Sequence, residues 1–166
     1  MDQLKVLRSV RILIVEDSPS DVRLVREALR ASEFIVRLSV CKDGVEALEY
    51  LHHCKSGQNP LPDLILLDLN LPLKSGHEVL NEIKHDPQLK KIPVLIMTSS
   101  VDDRDLAAAY DLNANCYIRK PADLPEYERV VRAIEDFWLM TVTLPETYNV
   151  SGISPAGHNG TGNSIQ

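Results

Sequence analysis

The sequence predicts an α/β fold, a doubly wound parallel sheet in which five strands alternate with five helices as (βα)5. Two observations carry this prediction. Short aliphatic runs alternate with amphipathic stretches of helical length over the first 140 residues. Such alternation calls for parallel strands joined by crossover helices, with helices on both faces of the sheet. In addition, three of the runs are apolar at every position, as in strands buried on two sides.

The elements follow in order. Strand β1 is Ile-Leu-Ile-Val at 12–15. Helix α1 at 19–31 opens on Ser18 as cap with Pro19 in its first turn, and carries Val22, Val25, Ala28 and Leu29 at helical spacing. Strand β2 is the apolar run 34–40, and helix α2 at 43–54 offers Val45, Leu48 and Leu51. Strand β3 is Leu-Ile-Leu-Leu at 64–67, and helix α3 at 76–85 offers Val79, Leu80 and Ile83. Strand β4 at 94–97 is followed by Ser100-x-x-Asp103, which reads as a capping box opening helix α4 at 102–112. Strand β5 is 116–118, and the longest helix, α5, spans 124–140. On α5, Val130, Ile134 and Phe137 form one stripe, and Tyr127, Val131 and Trp138 an adjacent one. Phe137 and Trp138 are about 100° apart on a helix and need not enter the same core. Either the following residues 141–145 cover them or a partner does.

Composition narrows the class. The chain has 166 residues, with 18 basic against 24 acidic side chains and a formal charge of −6. An acidic balance argues against a nucleic-acid-coating protein, and no apolar run approaches the ~20 residues a membrane span needs. Met1 to Arg11 lacks the apolar core of a secretion signal. Cys41, Cys54 and Cys116 are an odd number without a C-x-x-C, so a reducing, cytoplasmic setting is expected. His52-His53-Cys54 has no further ligand at metal spacing and is read as a surface feature. Cys116 is read as core. The expected organisation is a lead-in at 1–8, a domain at 9–140, an extension at 141–150 packing on the domain or on a dimer partner, and a disordered Gly/Ser/Asn-rich tail at 151–166. The sequons at Asn149 and Asn159 are accidental in an unsecreted chain.

In doubly wound sheets the ligand site lies at the carboxyl ends of the strands. There the sequence places Glu16 and Asp17 after β1, Asp68 after β3, Thr98 after β4, and Lys120-Pro121 after β5. Three converging carboxylates need a compensating cation, and an oxygen-only set suits Mg²⁺. A carboxylate is also a nucleophile toward phosphorus, and transfer to it needs a metal, an ammonium and a hydroxyl or N–H to stabilise the equatorial oxygens. Each residue alone has an ordinary reading as a cap, turn or loop residue. Their joint arrival at one sheet edge is what points to phosphoryl chemistry.

With these residues in view, the stretch from about Ser9 to Met140 resembles a response-regulator receiver domain, the phosphoacceptor of a two-component pathway. The likeness rests on Glu16-Asp17, on Asp68 within LILLDLNLP, on Gly76 eight residues later, on Thr98 and on Lys120-Pro121. It implies the flavodoxin-like strand order 2-1-3-4-5. It implies Asp68 as phosphoacceptor, Glu16, Asp17 and Asp68 as Mg²⁺ ligands with the Asn70 backbone carbonyl, and Thr98 and Lys120 as partners of the phosphoryl group. It further implies Tyr117 as the aromatic switch that follows Thr98, and a cis peptide between Lys120 and Pro121. The connection at 53–62, the D-L-N-L-P wording and the ending from Phe137-Trp138-Leu139 to Pro145 resemble stand-alone regulators of cyanobacterial phytochrome-type kinases. Related receivers also serve other sensor kinases.

The expected function is therefore a single-domain response regulator that takes a phosphoryl group from a sensor histidine kinase onto Asp68. It would catalyse only its own phosphorylation and dephosphorylation. Only 26 residues follow Met140, too few for a DNA-binding output domain, so output by protein contact is expected. The implied assembly is a homodimer through α4, β5 and α5 with Tyr117, Phe137, Trp138 and the extension, without nucleic acid or membrane. The alternative is a phosphorylation-independent adaptor with the same fold, which the complete Asp68, Thr98 and Lys120 set disfavours. A nucleotide-binding flavodoxin relative would need a Gly-rich phosphate loop after β1, where Glu-Asp-Ser-Pro stands instead.

Overall fold

The structure is a computed structural model and describes residues 9–145. Five parallel strands, β1 Ser9–Val15, β2 Ile35–Cys41, β3 Leu64–Leu67, β4 Val94–Thr98 and β5 Cys116–Arg119, form one sheet in the order β2-β1-β3-β4-β5. The central strands β1, β3 and β4 carry the uninterrupted aliphatic runs, and β3 and β4 are buried at every position. The outer strands β2 and β5 are only partly covered. The order and the parallel pairing agree with the expectation.

Helices α1 (Pro19–Leu29) and α5 (Leu124–Ile134) pack on one face with Val10, Ile12, Ile14, Leu66 and Leu95. Helices α2 (Gly44–Lys55), α3 (Gly76–His85) and α4 (Asp103–Asp111) cover the other, against Leu13, Val15, Ile65, Leu67 and Ile96. Side chains alternate across a strand, so each strand feeds both cores. Ser18 caps α1 by accepting from the Asp21 N–H, with proline next in line. Asp43, Ser75 and Asp123 cap α2, α3 and α5, and Ser75 with Glu78 closes a capping box. These caps fix where each strand-to-helix turn ends, and so fix the edge that carries the chemistry.

Four sequence expectations need correction. The cap of α4 is Asp102, which accepts from the Arg104 N–H. Ser100 is free to bond Asp105 through its hydroxyl instead. Helix α5 does not run to 140 as an α-helix; from Glu135 to Thr141 it widens into a π-helical turn, with Val142 N donating to the Phe137 carbonyl at 3.0 Å. The wider turn rotates the face, so that Leu139 is buried while Phe137 is 53% exposed. Cys54, in the last turn of α2, is buried, while His52 and His53 are exposed. The Lys120–Pro121 peptide is trans, as are the other described peptides.

The described part of the extension, up to residue 145, packs on the chain's own core, where Leu144 is buried and Val142 lies against the α1–α5 cluster. The lead-in 1–8, residues 146–150 and the tail 151–166 with the expected disorder lie outside the described residues.

Candidate functional site at the carboxyl edge of the sheet

The register brings the strand ends level. Val15 pairs with Leu67, Leu67 with Ile96, and Thr98 with Arg119. The next residues, Glu16, Asp68 and Lys120, therefore leave the sheet side by side. Backbone bonds hold them there: Asp68 N donates to Val15 O at 3.0 Å, Glu16 N to Cys41 O at 2.9 Å, and Lys120 N to Thr98 O at 2.9 Å.

Lys120 is the hub. Its Nζ lies 2.7 Å from Glu16 Oε2, 2.8 Å from Asp21 Oδ2 and 2.8 Å from Asp68 Oδ2. The trans peptide thus still delivers the amine inward, because the flexible lysine stem spans the gap. Burial works against the ammonium, but the hydrogen bonds it donates to Asp21, Asp68 and Glu16 outweigh it and raise the lysine pKa above its ordinary value. Burial pushes the Glu16 carboxyl above the usual range, and the nearby Asp68 charge adds to this; Lys120 and the Ser18 N–H pull the other way without prevailing.

Asp68 is 4% exposed. Its Oδ1 accepts the Asn70 N–H at 3.2 Å while Oδ2 meets Lys120, so both oxygens are oriented. Gly76 stands beside it for a steric reason. A Cβ there would fall 2.1 Å from the Asp68 carbonyl oxygen, so only glycine lets the start of α3 approach this turn. Glu16, Asp17 and Asp68 each present a carboxylate oxygen, and these lie within 4.8 Å of one another. Asp17 faces solvent while the other two are buried, an open, all-oxygen donor set that fits a hard divalent cation.

Thr98 is fully buried, and its Oγ1 accepts from the Ser100 N–H at 3.3 Å. Tyr117 is half-buried and donates from Oη to the Ser100 carbonyl at 3.3 Å. The β4–α4 connection is thus bonded to both Thr98 and Tyr117. Phe137 and Trp138 stand apart from this edge, their rings in an edge-to-face contact at 5.2 Å.

Sequence reasoning missed Asp21. It lies in the first turn of α1, and capping by Ser18 turns that helix start toward the strand ends, where Asp21 shares Lys120. An acid three residues beyond a cap, in a helix that follows a strand ending in two acids, is the signal that was available.

The chain matches the response regulator receiver domain family over residues 12–132. It is 49% identical over 135 residues to the response regulator Rcp1 of Synechocystis sp., covering 81% of this chain and 92% of that protein. Among solved structures it is similar to the Mn²⁺-bound form of Rcp1, with a TM-score of 0.76 at 47% identity, over 82% of this chain and 99% of the other. It is also similar to the phosphorylated cyanobacterial phytochrome response regulator RcpA, with a TM-score of 0.78 at 47% identity, over 83% of this chain and 99% of the other.

Proposed function

The chain belongs to the response regulator receiver family, a response regulator of phosphorylation-based signalling, and from that premise we propose that Asp68 is its phosphoacceptor. The observation that carries the assignment is the pairing of a buried, oriented carboxylate with Lys120 beside an acidic, open donor set. A carboxylate oxygen of Asp68 attacks phosphorus, the bond from phosphorus to the donor's imidazole nitrogen breaks, and that nitrogen keeps the electron pair. Lys120 exchanges a carboxylate for the incoming phosphoryl oxygens. Thr98 and backbone N–H groups supply hydrogen bonds to the same oxygens.

Receiver domains bind a divalent metal, and Mg²⁺ is the proposed ion here, held by Glu16, Asp17, Asp68 and the Asn70 carbonyl. When bound it neutralises charge on the oxygens of the transferring group. Tyr117 is the proposed reporter, since the β4–α4 connection links it to Thr98. Autodephosphorylation is proposed as the only other chemistry.

A receiver implies a histidine kinase partner. The likeness to the cyanobacterial phytochrome response regulator RcpA supports a phytochrome-type kinase, and the cytoplasm is the proposed location. No helix among the described residues is long and apolar enough to cross a membrane. Residues 9–140 are proposed as the receiver unit. Phe137 at 53% and Met140 at 62% exposure support a homodimer through α4, β5, α5 and the π-helical turn. Trp138 is half-buried against the chain's own core, so Phe137→Ala is the cleaner interface probe. Sedimentation of the wild type as a monomer at every concentration, phosphorylated or not, would remove the dimer.

The acceptor is tested with acetyl phosphate. Asp68→Asn keeps size and removes the nucleophile, so Mg²⁺-dependent labelling should vanish while the fold persists. Undiminished labelling of this variant would overturn the assignment. It would also return weight to a phosphorylation-independent adaptor.

A further inference from the structure

Tyr127 lies in α5 directly beneath the acidic pocket. Its side chain is 1% exposed, packed among the α1–α5 core residues. Among the described residues, no group lies within hydrogen-bond reach of its buried hydroxyl. Buried tyrosine hydroxyls ordinarily find a partner, because water lost without replacement is costly.

The surroundings of that hydroxyl are informative. Tyr127 lines a cavity of about 10 Å³ together with Glu16, Asp21 and Asp68, and with aliphatic walls that include Val22 and Met97. That is room for a single water and nothing larger; most of the lining is aliphatic, and the polar groups that could hold a water are the Tyr127 hydroxyl and the carboxylates of Glu16, Asp21 and Asp68. Burial first, then the charges of Asp21, Glu16 and Asp68, push the phenol up to about 12, so at neutral pH it keeps its proton. A protonated phenol can donate, whereas the three carboxylates only accept. A direct contact is not made, so the donor and the acceptors need an intermediary. Water supplies it by accepting from Oη and donating both protons onward. The carboxylates have capacity left, since each oxygen has two acceptor sites and Lys120 Nζ takes one on each of Glu16 Oε2, Asp21 Oδ2 and Asp68 Oδ2.

We infer that this cavity holds one ordered water that ties the Tyr127 hydroxyl to the carboxylates of the acidic pocket, which makes Tyr127 a positioning residue for the metal and acceptor site. The water would brace from below the groups that Lys120 gathers from above. The inference deepens the reading of Asp68 as acceptor and rests on it for its functional meaning, but its own evidence is independent of labelling.

The experiment uses the full chain, unphosphorylated. A crystal structure at about 1.5 Å resolution should show one water within hydrogen-bond distance of Tyr127 Oη and of at least one of the three carboxylates. Tyr127→Phe keeps the ring and removes only the hydroxyl. If the bridge exists, the unfolding equilibrium should move toward the unfolded state by about fivefold, the worth of one net hydrogen bond. Mn²⁺ binding should weaken several-fold, and the ¹⁵Nζ resonance of Lys120 should shift as its carboxylate partners relax. If the hydroxyl merely sits unpaired, its removal is neutral or stabilising. No water in the cavity, or a Tyr127→Phe variant of equal or greater stability with unchanged Mn²⁺ affinity and Lys120 resonance, would overturn the inference. Acetyl phosphate labelling, read separately, keeps the two readings apart. Labelling of Asp68 without the water fails this inference alone, and the water without labelling fails the acceptor assignment alone.

Discussion

The two ends of the sheet handle charge in opposite ways. At the amino end, Arg11 grips Asp63 through Nε, Nη2 and its own backbone N–H, and Lys55 bonds Asp86. Each acid there meets a cation, and Asp86 is a case where hydrogen bonds from Lys55, Leu89 and Gln88 prevail over burial and lower the carboxyl pKa. At the carboxyl end, Glu16, Asp21 and Asp68 crowd around Lys120, and Asp17 adds a fourth carboxylate beside them. Balanced pairs join strands and helices and ask nothing of the solution. An excess of buried anions carries a desolvation and repulsion cost that a bound cation would relieve. The contrast supports the carboxyl end as the proposed site without reference to any relative.

The largest effect should come from removing the lysine that the crowded carboxylates share. Lys120→Ala leaves Glu16, Asp21 and Asp68 close together with no ammonium, and should cost about 3 kcal/mol in metal-free buffer. Millimolar Mg²⁺ should return a large part of that loss, because it replaces the missing charge. Urea denaturation with and without Mg²⁺ measures both numbers. A cost under about 1 kcal/mol, insensitive to Mg²⁺, would mean that the carboxylates are better solvated than their burial implies.

A smaller effect should appear with pH, and its sign sharpens the contrast. The Glu16 pKa is raised in the folded chain above its ordinary value. Between that ordinary value and the folded one, the native state binds more protons at Glu16 than the unfolded state does. Acidification through this window therefore relieves the metal-free pocket, and the penalty is fully present above it. Mg²⁺ needs the ionised form, so its stabilisation must shrink as pH falls. Thermal melts at pH 8 and pH 5 should show a larger Mg²⁺-induced gain in Tm at pH 8. Equal gains would dissociate Glu16 from the metal.

Much of this end was legible in the chain itself, for identifiable reasons. Uninterrupted aliphatic runs at β1, β3 and β4 mark the doubly covered strands, and the polar residues after each run then fall on one edge by topology alone. Ser18-Pro19 marked the start of α1 because a cap and a first-turn proline act locally. Less legible was whatever depends on side chains meeting across elements. Asp21 and Lys120 are 99 residues apart, and no period connects them. The π-helical turn at Glu135–Thr141 has no local signature, since it depends on how Leu139 and Leu144 seat in the core. The cap of α4 passed from Ser100 to Asp102 because both residues can cap, and Ser100 is engaged with Asp105 and Thr98.

The smallest effect should come from a lysine at the opposite end. Lys84 Nζ donates to Ile92 O at 3.2 Å and to Asn115 Oδ1 at 3.0 Å, both neutral acceptors. Burial alone lowers its pKa, the reverse of Lys120, whose carboxylates overcome the same penalty. An ammonium that loses water and gains only neutral oxygens contributes little. Asn115 Oδ1 also accepts from Val94 N at 2.8 Å, so it keeps a partner when the lysine is gone. Lys84→Met, which retains most of the aliphatic stem, should therefore change stability by no more than about 0.5 kcal/mol at pH 7. It should also leave Mg²⁺ affinity and acetyl phosphate labelling untouched. Urea denaturation of Lys84→Met beside Lys120→Ala places two partly buried lysines from one sheet on a single scale. A Lys84→Met loss as large as that of Lys120→Ala would show that burial of the stem, rather than the company of the ammonium, sets what a lysine is worth in this fold, and the distinction between the two ends would fail.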